Sequence, residues 1–231
     1  MTDDQSTAQA SPTRLTRLDH VDLRSVSVGP MDNNAYLLTC RTTGAQVLVD
    51  AAADSDRLLA LVREGSGSAR LDLIVTTHSH HDHVGALEDM VGVTGATTAA
   101  GAEDAEAISV PTRQRLHAGE HLVAGTIDLE VVPLRGHTPG SVALVLVEPD
   151  EVSEPDAVAG RTHIFSGDSL FPGGVGNTNH DPERFAQLLG DVEEKIFGRF
   201  RDDTVVHPGH GAPTTLGAER PHLDEWRSRG W

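Results

Sequence analysis

Five side chains of the kinds that bind metal ions lie within six residues, in the segment THSHHDHVG at positions 77–85. The apolar run LDLIVTT precedes it and has the pattern of a short buried strand. In an extended chain alternate side chains point to the same side, so His78 and His80 can share one cation. A turn at Asp82 and His83 directs that pair elsewhere. The spacing therefore predicts a metal site with room for two neighbouring ions.

Clustering distinguishes these histidines from an isolated histidine, which is more often a surface or hydrogen-bonded residue. Several imidazoles packed together after a buried strand leave their ring nitrogens without partners unless the nitrogens bind a cation. Neutral imidazole and carboxylate ligands suit zinc, iron and related divalent ions. Metal ligation is therefore the favoured interpretation of this segment.

Further residues of the same kinds follow apolar runs later in the chain: His137 in GHTPGS, Asp168 in FSGDSLF and His210 in HPGHG. Together with the pattern His-x-His-x-Asp-His at positions 78–83, these motifs give a sequence that resembles the metallo-β-lactamase superfamily. The resemblance covers roughly residues 18 to 231. It implies an α/β protein, a four-layer αββα sandwich with its site on one edge of the two sheets.

The resemblance also implies how the ligands divide. A first metal takes His78, His80 and His137, a second takes Asp82, His83 and His210, and Asp168 bridges both. The expected cofactors are two divalent ions, zinc first, with iron or manganese as alternatives. In the hypothesised mechanism a metal-bridging hydroxide attacks a carbonyl, the cations stabilise the oxyanion, and Asp82 acts as a catalytic residue that steers the proton.

Within the superfamily, the motifs NNAYLL, HTPGS, GDSLF and PGHG look most like the glyoxalase II group of thioester hydrolases. Asp168 disfavours class B β-lactamases, His80 disfavours flavodiiron proteins, and the acidic balance disfavours RNA-processing nucleases. Only 21 residues follow His210, so the long helical domain that holds glutathione in typical glyoxalase II enzymes is not expected. Another thioester, a related ester or a lactone is as plausible a substrate as hydroxyacylglutathione.

Two further interpretations stay open at this point. Persulfide dioxygenases of the same fold use one iron held by two histidines and an aspartate, and those ligands overlap the present set. A metal-stabilised scaffold without turnover is the third interpretation. Three residues are candidates for substrate binding: Asn34, Tyr36, and His180 after the glycine-rich PGGVGNTN.

The elements that must position these residues follow from apolar patterning. Strands are predicted at Val21–Val28, Ala35–Thr39, Gln46–Val49, Ile127–Val131, Val142–Val147 and Thr162–Phe165. Asp54–Glu64 has a helical pattern. The clearest helix follows Asp181, a predicted N-cap before Pro182, and a short helix is expected within Gly217–Trp231.

Composition limits partners and location. The chain has 231 residues, with 35 acidic and 18 basic side chains and a formal charge of −17, and we find no basic stripe that would bind nucleic acid. No apolar run reaches the ~20 residues that span a bilayer. The single cysteine, Cys40, fits a reducing, cytoplasmic compartment. We expect residues 1–14 to be a disordered tail, residues 15–231 to be one metallo-β-lactamase-fold domain, and the partner to be a small-molecule substrate; the oligomeric state stays open.

Overall fold

The first of two large sheets is built from the amino-terminal half of the chain. The structure, a computed structural model, describes residues 12–68 and 70–230. Seven strands lie side by side in chain order: β1 (Arg14–Arg17), β2 (Val21–Val28), β3 (Asn33–Cys40), β4 (Gln46–Val49), β5 (Leu73–Thr76), β6 (Thr97–Gly101) and β7 (Gln114–Leu116). The strands β1 to β4 form an antiparallel meander, and β4 to β7 are parallel. Helices α1 (Ser55–Gly65) and α2 (Leu87–Thr94) make the two crossovers on either side of β5.

The second sheet comes from the carboxyl-terminal half. Its strands are β8 (His121–Ala124), β9 (Ile127–Pro133), β10 (Val142–Val147), β11 (Thr162–Gly167), β14 (Val205–Pro208) and β15 (Thr214–Thr215), in the spatial order β15-β14-β11-β10-β9-β8. A small hairpin joins β12 (Leu170–Phe171) to β13 (Gly174–Val175). The helices of this half are α3 (Pro182–Val192), which continues as a π-helical turn over Glu193–Phe197, then α4 (Leu216–Glu219) and α5 (Leu223–Arg229).

Three apolar cores hold these layers together, and they confirm the four-layer αββα arrangement. One core lies between the sheets, one lies between the first sheet and helices α1 and α2, and one lies between the second sheet and helices α3 and α5. Representative residues are Leu38, Val75 and Leu129 in the first core, Leu58, Ile74 and Leu87 in the second, and Ile164, Leu188 and Trp226 in the third. Burial of apolar surface on both faces of each sheet is the main force that stabilises such a sandwich.

The predicted start of α3 is confirmed. The Asp181 side chain accepts hydrogen bonds from the backbone N–H groups of Glu183 and Arg184, at 2.9 and 3.1 Å, and Pro182 occupies the first turn. Asp54 begins α1 differently from a usual N-cap. Its backbone is left-handed, with φ 53°, and its side chain accepts from Gly29 N at 2.9 Å instead of capping the helix.

Several elements differ from the sequence-based expectation. The sequence analysis did not predict the helix α2 or the strands β1, β6, β7, β8, β12, β13 and β15. The carboxyl-terminal segment contains two short helices, α4 and α5, where one was expected. The predicted tail, residues 1–14, lies outside the described residues up to position 11, and Arg14 already belongs to β1. Within the described ranges, each helix is too short or too polar to cross a membrane.

Candidate metal centre

All seven predicted ligands lie just beyond strand ends, on one rim of the sandwich. His78 and His80 follow β5, and a 3-10 turn over His81–His83 carries the next pair. His137 lies between β9 and β10, Asp168 follows β11 and His210 follows β14. The first sheet therefore contributes four of these side chains, and the second sheet contributes three.

The ligand atoms form compact groups on this rim. One group contains His78, His80 and His137, and another contains Asp82, His83 and His210; within each group the ligand atoms lie within 4.8 Å of one another. Asp168 lies between the two groups. Its Oδ1 is 3.3 Å from His83 Nε2, and its Oδ2 is 3.7 Å from His137 Nε2 and 3.5 Å from His210 Nε2. One carboxylate thus faces imidazoles of both groups.

Two of these imidazoles are held by backbone carbonyls on the side away from the centre. His137 Nδ1 lies 2.7 Å from the carbonyl oxygen of Asn177, and His210 Nδ1 lies 2.9 Å from that of Met31. A carbonyl only accepts, so each Nδ1 carries the proton and each Nε2 presents its lone pair to the centre. This orientation is typical of metal-binding histidines.

A buried carboxylate, Asp50, organises the other side of the centre. It accepts from the Thr77 N–H at 2.7 Å, from the Thr77 hydroxyl at 2.8 Å and from His83 Nδ1 at 2.8 Å. Because the Thr77 hydroxyl donates to Asp50, its oxygen accepts from His78 Nδ1, 3.0 Å away. Asp50 therefore fixes the tautomer of His83 directly and that of His78 through Thr77, one histidine in each group.

A second buried carboxylate, Asp104, ties the two ligand loops together. It accepts from Ser79 N at 2.8 Å in one loop, and from Gly140 N at 2.7 Å and the Thr138 hydroxyl at 2.6 Å in the other. Gly140 leaves room for this contact, because a Cβ there would approach the Asp104 side chain to 2.8 Å. The loop that carries His137 is thereby fixed against the loop that carries His78 and His80.

The residues fit a metal. Among the described residues, His78 Nε2, His137 Nε2 and Asp168 Oδ1 are buried without a hydrogen-bond partner. Buried polar atoms without partners are rare, since each costs about 1–3 kcal/mol. His78 belongs to one candidate metal group with His137 and to another with Asp168. The imidazole and carboxylate chemistry of these atoms matches the donor set of zinc and iron sites.

Electrostatics around the centre also favour a cation. Burial opposes ionisation of Asp168, yet the imidazoles of His210 and His83 hold the pKa of that carboxyl well below its usual range. Burial likewise opposes a charge on His83, but the carboxylates of Asp50 and Asp168 raise the pKa of its imidazole. Burial and the neighbouring imidazoles lower the pKa of His78. The carboxylates thus make the centre attractive to positive charge, while His78 offers a neutral nitrogen.

The three predicted substrate residues lie outside the ligand groups. Asn34 Nδ2 donates to the carbonyls of Pro208 and Gly211, at 3.0 and 2.9 Å, and the buried Tyr36 hydroxyl donates to Pro208 at 2.7 Å. Both side chains therefore support the loop that carries His210. His180 lines a separate cavity of about 210 Å³. Substrate binding by these three residues stays a prediction.

Asn33, the first residue of the motif NNAYLL, also reaches the centre, although only Asn34 and Tyr36 of that motif are predicted site residues. Its Nδ2 is 2.9 Å from Asp82 Oδ2 and 3.4 Å from both His83 Nε2 and His210 Nε2. The pattern GPMDNN indicates only a turn, and the sequence around Asp50 does not single out that residue either. The motif NNAYLL was an available signal for Asn33. For both residues the further signal is position, because each borders a strand end on the rim where the ligands lie.

A family model independently matches this chain. The model described as metallo-beta-lactamase superfamily matches residues 28–152, more than half of the chain. The chain belongs to this superfamily. The match includes β3, the first four predicted ligands and His137.

Curated relatives in the superfamily include hydroxyacylglutathione hydrolases. The probable hydroxyacylglutathione hydrolase glo2 of Schizosaccharomyces pombe is 27% identical over 79% of this chain and 65% of its own length. The hydroxyacylglutathione hydrolase of Fuscovulum blasticum is 32% identical over 86% of this chain and 76% of its own length. The chain thus spans just under two thirds of the Schizosaccharomyces pombe relative.

Solved structures of the superfamily share the fold. BLEG-1 B3 metallo-beta-lactamase has a TM-score of 0.70 and 25% identity over 87% of this chain and 97% of its own. ETHE1 from Myxococcus xanthus has a TM-score of 0.72 and 25% identity over 87% of this chain and 82% of its own. TTHA1623 in a di-iron-bound form has a TM-score of 0.65 and 31% identity over 85% of this chain and 96% of its own.

Proposed function

We propose that the protein is a binuclear metallohydrolase that cleaves a thioester or a related ester or lactone, as glyoxalase II enzymes do. The observation that carries the proposal is the position of Asp168, whose two oxygens face histidines of both ligand groups at 3.3 to 3.7 Å. The hydroxyacylglutathione hydrolases among the relatives support thioester chemistry. The di-iron form of TTHA1623 supports two ions in this scaffold.

We assign His78, His80 and His137 to one ion, Asp82, His83 and His210 to the other, and Asp168 to both. Zinc is the first expectation for the metal, with iron or manganese as alternatives. Two bound divalent cations supply an acidified water and stabilise negative charge on a carbonyl oxygen.

Around this chemistry the protein contributes orientation and proton transfer. Asp50 and the backbone carbonyls of Asn177 and Met31 hold the imidazoles with Nε2 toward the centre. Asp82 accepts from the Asn33 amide through Oδ2, and we infer that this carboxylate receives the proton of the attacking water. Burial of the histidines limits their contact with bulk water, which strengthens these interactions.

The test combines elemental analysis of the purified protein with assays on thioester, ester and lactone substrates. We expect two ions per chain and hydrolysis of at least one thioester. Asp168→Ala should lose metal and turnover together, whereas Asp128→Ala, an exposed aspartate beside His121, should retain both. An Asp168→Ala protein with full metal content and normal turnover would contradict the assignment.

A persulfide dioxygenase is the second candidate, and the observation that favours it is the similarity to ETHE1 from Myxococcus xanthus. One iron per chain with oxygen uptake and no thioester cleavage would support it. Bound metal without activity on any of these substrates would support a non-catalytic scaffold.

We further infer that the protein acts on a small molecule in the cytoplasm, without binding nucleic acid or membranes. The formal charge of −17 and the single cysteine support this part of the proposal. Fractionation of the source cells and measurement of thioester cleavage in the soluble fraction would test the location.

A further inference from the structure

A cavity with both polar and apolar walls lies between the two sheets, against β1, β2 and β3 of the first sheet and β11 and β14 of the second. Its volume is about 310 Å³. The apolar core between the sheets reaches this region at Tyr36 and Phe165, whose ring centroids are 5.3 Å apart. Beyond them the inner faces become polar, with Arg14 and Ser25 on the first sheet and His207 on the second. The cavity thus combines apolar walls with a few charged and hydroxyl groups, which is the combination that small-molecule sites use.

The charge of this cavity is opposite to that of the whole chain. Two guanidinium groups, from Arg14 and Arg161, line it, and its walls include no carboxylate among the described residues. Arg161 is paired with Glu148 behind the wall, so the uncompensated positive charge is that of Arg14. Within residues 12–68 and 70–230, Arg14 makes no ion pair, and the Ser25 hydroxyl makes no hydrogen bond. Arg14 and Ser25 are directly opposed on β1 and β2, which places a charged donor and a hydroxyl donor side by side.

A hydrogen-bonded chain fixes the opposite wall. The fully buried carboxylate of Glu148 contacts Arg161 Nε at 2.9 Å and His163 Nε2 at 3.0 Å. His163 Nδ1 is in turn 3.1 Å from His207 Nε2, and the His207 ring stacks on Phe165 at 4.9 Å. Arg161 and His207 are therefore held in place before any ligand arrives, which reduces the entropic cost of binding.

The pKa of the His207 imidazole depends on burial and on the positive groups around the cavity. Burial, together with the positive charges of His163, Arg14 and Arg161, lowers the pKa of His207 to about 3. The ring is therefore neutral at pH 7 and remains available for hydrogen bonding, while the Arg14 guanidinium supplies the net positive charge.

We propose that this cavity is a binding site for a small molecule that carries an oxyanion, either a phosphate or a carboxylate group. Arg14 and Arg161 contact the oxyanion, and Ser25 donates a hydrogen bond to it. Charge-assisted contacts of guanidinium with oxyanions are among the strongest polar interactions in proteins. Leu23, Val205 and Pro213 also line the cavity and give the carbon skeleton of the ligand an apolar surface.

The proposed site is separate from the metal centre but shares a loop with it. Asn34 and Tyr36 line the cavity and also donate to the carbonyls of Pro208 and Gly211, on either side of His210 in sequence. The ligand therefore contacts the side chains that support His210 without contacting the proposed metal ligands.

The test is calorimetric titration of the metal-loaded protein with inorganic phosphate and, separately, with acetate. Arg14→Gln should weaken binding about tenfold, because one charge-assisted contact is lost. Arg17→Gln is the matched control, since Arg17 lies on the same strand three residues away, on the opposite face, and its affinity should match the wild type. Saturable binding of phosphate or of acetate that Arg14→Gln weakens and Arg17→Gln leaves unchanged would support the proposal and identify the oxyanion that the cavity prefers.

Phosphate can also bind at the metal centre, so the position of binding needs its own readout. NMR spectra of the histidine side chains should show shifts of the His163 and His207 signals on titration, and Arg14→Gln should reduce these shifts. Equal affinity of wild type and Arg14→Gln for phosphate and for acetate, or no saturable binding of either, would overturn the proposal.

Discussion

Asp50 is linked by hydrogen bonds to a histidine of each ligand group, although it is not one of the predicted ligands. It holds His83 directly at 2.8 Å and His78 through the Thr77 hydroxyl. Carboxylates in this position raise the basicity of an imidazole and fix its orientation, which strengthens metal binding. A single side chain therefore sets the geometry of both groups, and its loss should affect both.

We predict that Asp50→Asn lowers metal affinity in both groups, by roughly 10- to 100-fold, because an amide is a weaker acceptor for His83 Nδ1–H and for the Thr77 hydroxyl. Competition with a chromogenic chelator would measure the two affinities. The control is Asp128→Asn, because Asp128 makes a 2.7 Å contact with His121 on the exposed surface, and metal binding should be unchanged there. Loss of affinity for a single ion would show that Asp50 does not act on both groups.

Helix α3 positions the loop that carries His137. Asp191, a buried residue of α3, accepts from the Arg135 backbone N–H at 3.0 Å and from the Arg135 side chain at 3.2 Å, and Lys195 lies 2.9 Å from it. Arg184, on the same helix, donates to the carbonyls of Gly136 and His137. The helix thus holds three consecutive residues of the loop, ending at His137.

Asp191→Asn should destabilise the protein at pH 7 by about 1–3 kcal/mol, since a buried charged acceptor is lost. Burial raises the pKa of Asp191, but Arg135 and Lys195 lower it by more, so its pKa lies below the usual value. The pKa of Asp191 is lower in the folded protein than in the unfolded chain, where it is about 3.9, so its charge stabilises the folded state above that pH. This stabilisation is lost as the pH falls toward the folded-state pKa. Urea unfolding at pH 7 and at pH 3 should therefore show a difference between wild type and variant that narrows in acid.

The control for this prediction is Asp203→Asn. Asp203 pairs with Arg201 at 3.0 Å on the exposed surface, where an ion pair contributes little to stability. A pH-independent difference between wild type and Asp191→Asn would contradict the role assigned to the Asp191 charge.

At the scale of the molecule, the proposed metals connect the two sheets. Residues 78–83 follow a strand of the first sheet, and His137, Asp168 and His210 follow strands of the second. A ligand that binds the folded state and not the unfolded chain raises stability in proportion to the logarithm of its concentration. Cations on this rim should therefore stabilise the packing of one half of the sandwich on the other.

Chelation should accordingly lower the thermal midpoint. At a free metal concentration about 1,000 times the dissociation constant the linkage is worth about 4 kcal/mol, or roughly 8–16 °C for a chain of this length. Differential scanning calorimetry with and without EDTA would measure this shift. Asp168→Ala should melt at the same temperature in both conditions, and an equal EDTA effect on this variant would exclude the predicted centre as its source.

Sequence patterning located the strands whose apolar residues dominate their environment. The bounds of β2, β4 and β10 are those predicted, because their aliphatic and β-branched residues alternate or run continuously. The strand β6, with the sequence TTAAG, has weak intrinsic preference and forms because β5 and β7 pair with it on both sides. Such pairing is a property of the tertiary structure.

The same distinction applies to the centre. The ligands in residues 78–83 are close in sequence, so spacing alone predicted a cluster, and motifs predicted the distant ones. Asp50 lies in no quoted motif, and Asn33 begins the motif NNAYLL without being predicted as a site residue. Both reach the centre because each borders a strand end on the rim that also carries the end of β5. Their contacts with His83 and Asp82 span 33 and 49 residues, which no local pattern encodes.

The position of the ligands beyond the strand ends has a consequence for evolution. The three apolar cores lie below the rim, so loops on it can lengthen or change sequence at little cost to packing. Substitutions in those loops alter what approaches the centre, whereas substitutions in the cores alter whether the chain folds. One scaffold can therefore acquire new substrates by loop variation alone. This explains why a β-lactamase and a hydroxyacylglutathione hydrolase are both similar to this chain.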